Sequence, residues 1–186
     1  IMANEYLRRN NTSTGNRRVW TWSAWIKRAS NLSINEERLW TAGDGGGTGT
    51  SPRTDISFGN GNFTFGLNST GSSWNAPSTI AQHKDVSAWC HIVFVLDTTK
   101  TDATEQRKIF FNGVEEFLNG ATALTKNELT PYNLAGNIHA IAQYVNEIPA
   151  GGQNPFKGDI TDVFFVDGQA LTPDVFGFYK QGKGYI

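Results

Sequence analysis

The sequence predicts an all-β fold, a single two-layer antiparallel β-sandwich. Three observations predict it. Apolar residues alternate at period two through most of the chain, as on half-buried strands. Asn- and Gly-containing turns separate these runs, with 20 Gly against 6 Pro. At 186 residues the chain is one domain long enough for a substantial core. The strongest single stretch is residues 89–117, a strand, a polar linker and a hairpin.

Taken in order, residues 1–18 are a polar arm in which Tyr6 and Leu7 are the apolar anchors, with a short edge strand expected over residues 5–8. Residues 19–178 are expected to form the sandwich and residues 179–186 a Gly/Lys-rich tail. Residues 19–28 read as the first strong strand, with Trp20, Trp22, Ala24 and Ile26 on one face and Trp25 on the other. Bulky rings on one alternating face mean a sandwich core. Residues 38–42 form the next strand, ending in the glycine run at 43–47 that holds Asp44. Residues 55–60 and 63–68 make a hairpin around Asn60-Gly61, the inward set being Phe63, Phe65 and Leu67. A loop, residues 69–77, carries Trp74 and Asn75, and residues 79–83 read as a further strand.

Residues 89–97 are apolar on both alternating faces: His91, Val93 and Val95 on one, Ile92, Phe94 and Leu96 on the other. Such a strand is covered on both sides. Residues 98–106 are polar and read as a linker. Arg107–Phe111 is a strand, followed by Asn112-Gly113 and a strand over 114–117. Asn-Gly suits a type I′ turn, whose two central residues need positive φ. These three strands are expected as a meander at the middle of a sheet. Residues 138–144 and 159–166 are the last strands. In the latter, Ile160, Val163 and Phe165 break period two, which predicts a β-bulge at Thr161–Asp162. Thr172-Pro173-Asp174 supplies an N-cap, an N1 proline and a first-turn acid, so a one-turn helix is expected over 172–177. The core is expected to comprise Trp20, Trp22, Ile26, Trp89, Val93, Phe94, Val95, Ile109, Phe111, Ile160, Val163 and Phe165.

The chemistry is mostly exclusions. A net charge of −1 gives no electrostatic case for nucleic acid. No apolar run approaches the ~20 residues of a membrane-spanning helix, so no membrane insertion is expected. The one cysteine, Cys90, cannot form an intrachain disulfide and reads as a small buried hydrophobe. Opening on Ile1 before Met2, the chain reads as an excerpt or a trimmed terminus. No catalytic residues are expected. Glu36-Glu37 and Glu115-Glu116 are adjacent, so on a strand each pair points to opposite faces, and Asp159 and Asp162 flank the bulge. His83, His91 and His139 are scattered, without ligand spacing for zinc. Sugar recognition needs an exposed ring beside planar polar groups. Trp74 and Asn75, on an expected loop, and Tyr144, where the expected strand 138–144 gives way to a loop, are the glycan-binding candidates.

Four motifs in order carry a resemblance. They are Thr21-Trp22-Ser23-Ala24-Trp25-Ile26-Lys27; Trp89-Cys90-His91-Ile92-Val93 leading to the strand that ends in Asn112-Gly113; Phe156-Lys157-Gly158-Asp159-Ile160-Thr161-Asp162-Val163; and Asp167-Gly168-Gln169-Ala170-Leu171-Thr172-Pro173. Together, over about residues 20–176, they resemble the laminin-G-like, concanavalin A-like jelly-roll domains. The nearest likeness is to such domains in marine bacteriophage structural proteins, although Phe176-Gly177 here leads into Phe178-Tyr179-Lys180-Gln181 rather than an acidic, Trp-bearing segment. The resemblance implies a non-enzymatic virion component, a tail fibre, spike or capsid decoration at the virion surface. Its partners would be other virion proteins, further copies of the chain and host-surface carbohydrate. A glycan-cleaving hydrolase is the alternative within the same fold. Laminin-G-like and pentraxin-like relatives often bind calcium. That implies Ca2+ as a candidate ion at Asp44, with Asn60 or Asn146 as oxygen partners.

Overall fold

The computed structural model describes residues 6–29, 36–45, 51–69, 74–145 and 154–186. The strands are β1 (Leu7–Asn10), β2 (Val19–Arg28), β3 (Glu37–Gly43), β4 (Arg53–Gly59), β5 (Asn62–Asn68), β6 (Ser78–Thr79), β7 (Cys90–Asp97), β8 (Arg107–Phe111), β9 (Val114–Glu115), β10 (Leu118–Asn119), β11 (Ile138–Ile141), β12 (Gly158–Asp167), β13 (Tyr179–Lys180) and β14 (Gly184–Tyr185). One sheet has seven strands in the order β1-β11-β3-β4-β5-β6-β10; the other has five, β12-β2-β7-β8-β9. The all-β, two-layer antiparallel sandwich expected from the sequence is the fold observed.

The core lies between the two inner faces. β2 sends in Trp20, Trp22, Ala24 and Ile26, and β7 sends in Ile92, Phe94 and Leu96. Leu39, Trp40, Ile56, Phe58, Phe63, Phe65 and Leu67 meet them from the larger sheet. Trp22 stacks on Trp40 at 6.1 Å, and Tyr132 enters from a loop to stack on Trp40 at 4.2 Å. Each such ring removes enough apolar area from water to contribute about 2–3 kcal/mol. Phe111, Ile160, Val163 and Phe165 pack against this cluster while partly exposed.

β7 is covered on its outer face too. Val93, Val95 and Phe110 form a second small cluster closed by Phe176. The cover is the C-terminal segment. Thr21 of β2 accepts Leu171 N–H at 2.8 Å and donates to Gln169 O at 2.8 Å. Beyond the one-turn 3-10 helix Pro173–Val175, the last residues form the β13–β14 hairpin. Its Tyr185 stacks on His91 at 5.2 Å, lies 6.1 Å from Trp25 and donates its hydroxyl to Pro173 O at 2.6 Å. Gly113, at φ +82°, leaves room for that ring: a Cβ there would stand 2.6 Å from it. Residues 179–186, expected as a tail, thus pack on the sandwich.

Several sequence expectations change in detail. Trp89, expected in the core, is 42% exposed. It shares parity with His91, Val93 and Val95, and the ring contacts of the C-terminal cover begin at His91. The meander β7-β8-β9 runs from the middle of the five-stranded sheet to its edge rather than lying at the middle. The strand expected over 114–117 divides: β9 pairs with β8, while β10 pairs with β6 in the other sheet. The linker 98–106 holds a one-turn helix, α1 (Ala103–Gln106), capped by the Asp102 carboxylate on Thr104 N–H at 2.8 Å. The expected edge strand at 5–8 lies at Leu7–Asn10 and pairs with β11, so part of the polar arm is an edge of the larger sheet. The bulge in β12 is present between Thr161 and Phe164, with Asp162 at φ 49°. No helix among the described residues is long and apolar enough to cross a membrane.

Candidate functional site

The candidate site is built on the outer face of the seven-stranded sheet. Along β4 the inward set includes Ile56 and Phe58, so Arg53, Asp55 and Ser57 face outward. The β4–β5 hairpin turns through Asn60 (φ 51°) and Gly61 (φ 89°) and places Gly66 opposite Asp55. Gly66 has no side chain, and the Trp74 ring occupies the space: a Cβ at Gly66 would lie 2.0 Å from Trp74 Cζ2. Trp74 remains 39% exposed.

Tyr144 arrives from the other side. After β11 the chain bends sharply at Ala142, a non-glycine residue at φ 64°, an uncommon conformation fixed by its neighbours. Ala142 N–H donates to Leu39 O at 3.0 Å, and its carbonyl accepts from Phe156 N–H at 3.2 Å. Thr41 Oγ1, on the outer face of β3, then ties down Gln143 O at 2.8 Å. The Arg53 guanidinium lies 4.5 Å from the Trp74 ring centre and 5.4 Å from that of Tyr144, and Arg38 lies 5.2 Å from Tyr144. Each cation–ring contact contributes about 0.5–2 kcal/mol depending on its desolvation.

Beneath the rings is a chain of alternating charges. Asp55, wholly buried, receives Arg53 Nε at 3.4 Å and Arg38 Nη1 at 3.7 Å on the same oxygen. Arg38 Nη1 also meets Glu36 Oε2 at 2.5 Å. Burial pushes the Asp55 carboxyl above its ordinary pKa, outweighing the pull of the two arginines. Among the described residues, Asp55 Oδ1, Ser57 Oγ and Arg38 Nε are buried without a hydrogen-bond partner. Glu36 and Asp55 are also a carboxylate pair that adjacency in sequence did not reveal. Sharing Arg38 Nη1 holds one oxygen of each within about 6 Å of the other. A guanidinium nitrogen lies against both, and Asp55 is buried.

Of the three glycan-binding candidates, the structure therefore brings Trp74 and Tyr144 together across Arg53. It gives Asn75 another task. Asn75 pairs by its backbone with Leu67 at 2.8 and 2.9 Å, accepts from Arg107 Nη2 at 3.0 Å and donates its amide to Thr122. Arg107 is itself buried, and burial lowers its pKa to about 10, so it stays charged at neutral pH. Asn75 is the clasp that fixes Trp74's loop.

Of the two oxygen partners expected for calcium at Asp44, Asn60 lies too far away. Asp44 follows β3, whose end pairs with the start of β4 at Gly43↔Arg53, whereas Asn60 follows the far end of β4 at Gly59. That strand is about 20 Å long at ~3.3 Å per residue, so the two cannot share one cation. Asn146 lies outside the described residues. Among the described residues no group of three or more His, Cys, Asp or Glu could hold a metal. Asp159 and Asp162 sit exposed on β12, the edge of the five-stranded sheet.

Comparison with known proteins agrees with this architecture. No curated protein matches the sequence. Among solved structures, the chain is similar to a carbohydrate-binding module, CBM40, of the Ruminococcus gnavus IT-sialidase, at 15% identity and a TM-score of 0.63, over 91% of this chain and 95% of that one. It is similar to a heptameric SAP-like pentraxin from Limulus polyphemus, at 18% identity and a TM-score of 0.59, over 90% and 71%. The NanB sialidase of Streptococcus pneumoniae matches at 13% identity and a TM-score of 0.64, over 93% of this chain and 26% of the enzyme. At such identities the likeness is one of fold. A laminin-G-like family model matches residues 2–175, and with that span, the two sheets and the aromatic core, the chain belongs to the concanavalin A-like lectin/glucanases superfamily.

Proposed function

We propose that the chain is a non-enzymatic glycan-binding module, a structural component of a bacteriophage particle held at the virion surface. The observation that carries the glycan reading is the pair of rings, Trp74 and Tyr144, gripped by one guanidinium over the outer face of the larger sheet. Sugar rings stack their C–H faces on such platforms, and their hydroxyls pair with planar polar groups at the edge. In support, the similar Ruminococcus gnavus module has been solved with sialyllactose bound. The phage placement rests on the sequence resemblance to marine phage structural domains. Further copies of the chain, other virion proteins and host-surface carbohydrate are the partners this reading assigns.

A hydrolytic reading has one observation in its favour, the Glu36–Asp55 pair. Against it stand the burial of Asp55 and the positive charge between the two groups. Release of reducing sugar from host polysaccharide that disappears in Asp55→Asn would establish hydrolysis. The binding reading is tested by screening the chain on an array of surface oligosaccharides beside Trp74→Ala. The expected result is binding that falls at least tenfold in the variant. No binding to any sugar, or equal binding by both proteins, would overturn it.

A further inference from the structure

We propose that the outer-face site selects neutral sugars rather than sialic or uronic acids. The inference rests on the glycan-binding reading of this face and names its ligand class. A site for a sugar carboxylate needs a cation whose charge is free to meet it. Here both guanidiniums against the rings are already matched. Arg53 and Arg38 share the carboxylate of Asp55, and Arg38 also holds Glu36. Each guanidinium already has a carboxyl oxygen of this chain against it.

The balance cannot be tipped cheaply. A ligand carboxylate that took Arg53 for itself would leave Asp55 buried beside one distant partner, and it would stand close to two like charges. Stripping a partner from a buried charge is strongly unfavourable. The cavity of about 510 Å3 that opens beside Asn75 repeats the pattern, with Lys126 and Glu128 both in its wall. What the face offers is two partly exposed rings, guanidinium groups lying over them and the Glu36 carboxylate, 43% exposed. That set matches the C–H faces and hydroxyls of a neutral hexose: the N–H groups donate to ring hydroxyls and Glu36 accepts from them.

The test is a matched pair of ligands, lactose and 3′-sialyllactose, with neutral and uronate-containing polysaccharides beside them, titrated into the whole chain at low and high salt. Binding of the neutral member at least as tightly as the acidic one, with affinity little changed by salt, supports the proposal. Acidic sugars bound at least tenfold more tightly than neutral ones, with affinity falling as salt rises, would overturn it while leaving the glycan reading standing. Failure of every sugar to bind removes the glycan reading and the inference with it. Glu36→Gln supplies the second arm. It uncovers charge on Arg38 from a partly exposed position, so it should fold and should move preference towards the acidic member at least threefold. An unchanged preference in that variant also counts against the proposal.

Discussion

The two outer faces of this sandwich are used in opposite ways. Over the five-stranded sheet the outward side chains are Val93, Val95, Phe110 and His91, and the chain covers them itself with residues 168–186. Over the seven-stranded sheet the outward side chains are Arg53, Asp55 and Ser57, and the rings that lie there, Trp74 and Tyr144, keep part of their surface in water. A glycine admits an aromatic ring on each face, Gly113 for Tyr185 and Gly66 for Trp74. One ring completes a hydrophobic cover. The other stays partly exposed among the described residues. Stability should therefore be sensitive on the first face, and binding on the second.

The largest effect is expected at Gly113. A substitution to Val would force a β-branched residue to φ +82° and drive a Cβ to 2.6 Å from the Tyr185 ring. Strain and lost cover together should cost about 3 kcal/mol or more. Urea denaturation should show a lower midpoint with an unchanged slope. A midpoint equal to that of the unmodified chain would mean that the C-terminal hairpin contributes nothing to this face.

The pH dependence of stability comes next. Burial lowers His91 to about 4, and burial aided by Arg9 does the same to His139. Both are neutral when folded but take a proton near pH 6.5 when unfolded. Stability should therefore fall as pH drops from about 6.5 towards 4 and level off below, by roughly 2–3 kcal/mol for each histidine. Asp55, whose folded pKa is raised, works in the opposite direction, gaining stability as pH falls through its folded value. His83 is lowered by burial as well, so His91→Gln should remove only a part of the histidine-driven loss, measured as midpoint against pH. A loss as steep in His91→Gln as in the unmodified chain would refute the assignment to His91.

What the residues revealed follows the range of each signal. The parity of β2 and β7 was readable because each strand carries its own pattern, and the cover over β7 followed from apolar residues on both of its faces. The bulge in β12 was readable from one broken period. The helix α1 was missed although Asp102 and Glu105 carry the spacing of a capping box. The site was half readable. Trp74 and Tyr144 stood out as loop aromatics, but Arg53, Trp74 and Tyr144 come from three separate segments, and only strand pairing brings them together. Trp89 misled because parity says which face a side chain occupies, not how far the cover on that face extends.

Asn75 is expected to have an intermediate effect, since it joins the platform to the buried Arg107. Asn75→Ala would leave that cation short of an acceptor and should cost about 1–3 kcal/mol. It should also weaken sugar binding through the loosened Trp74 loop. A stability loss without any change in binding would separate the clasp from the platform.

The smallest change in stability, and the sharpest contrast with Gly113, is expected at Gly66. Its backbone lies in an ordinary strand conformation, so Ala introduces no strain of its own. The atom in its way is the far edge of the Trp74 ring, 2.0 Å from the new Cβ. That ring sits at the surface on a loop and can swing aside, giving up one cation–ring contact with Arg53, so stability should change by no more than about 1 kcal/mol. Binding should fall with the displaced platform, by tenfold or more. Arg53, Asp55 and Tyr144 are left in place, so the loss would belong to the ring's position alone. If Gly66→Ala binds sugar as well as the unmodified chain, Trp74 is not the platform. If it unfolds as readily as Gly113→Val, the two faces are not the different surfaces their side chains imply.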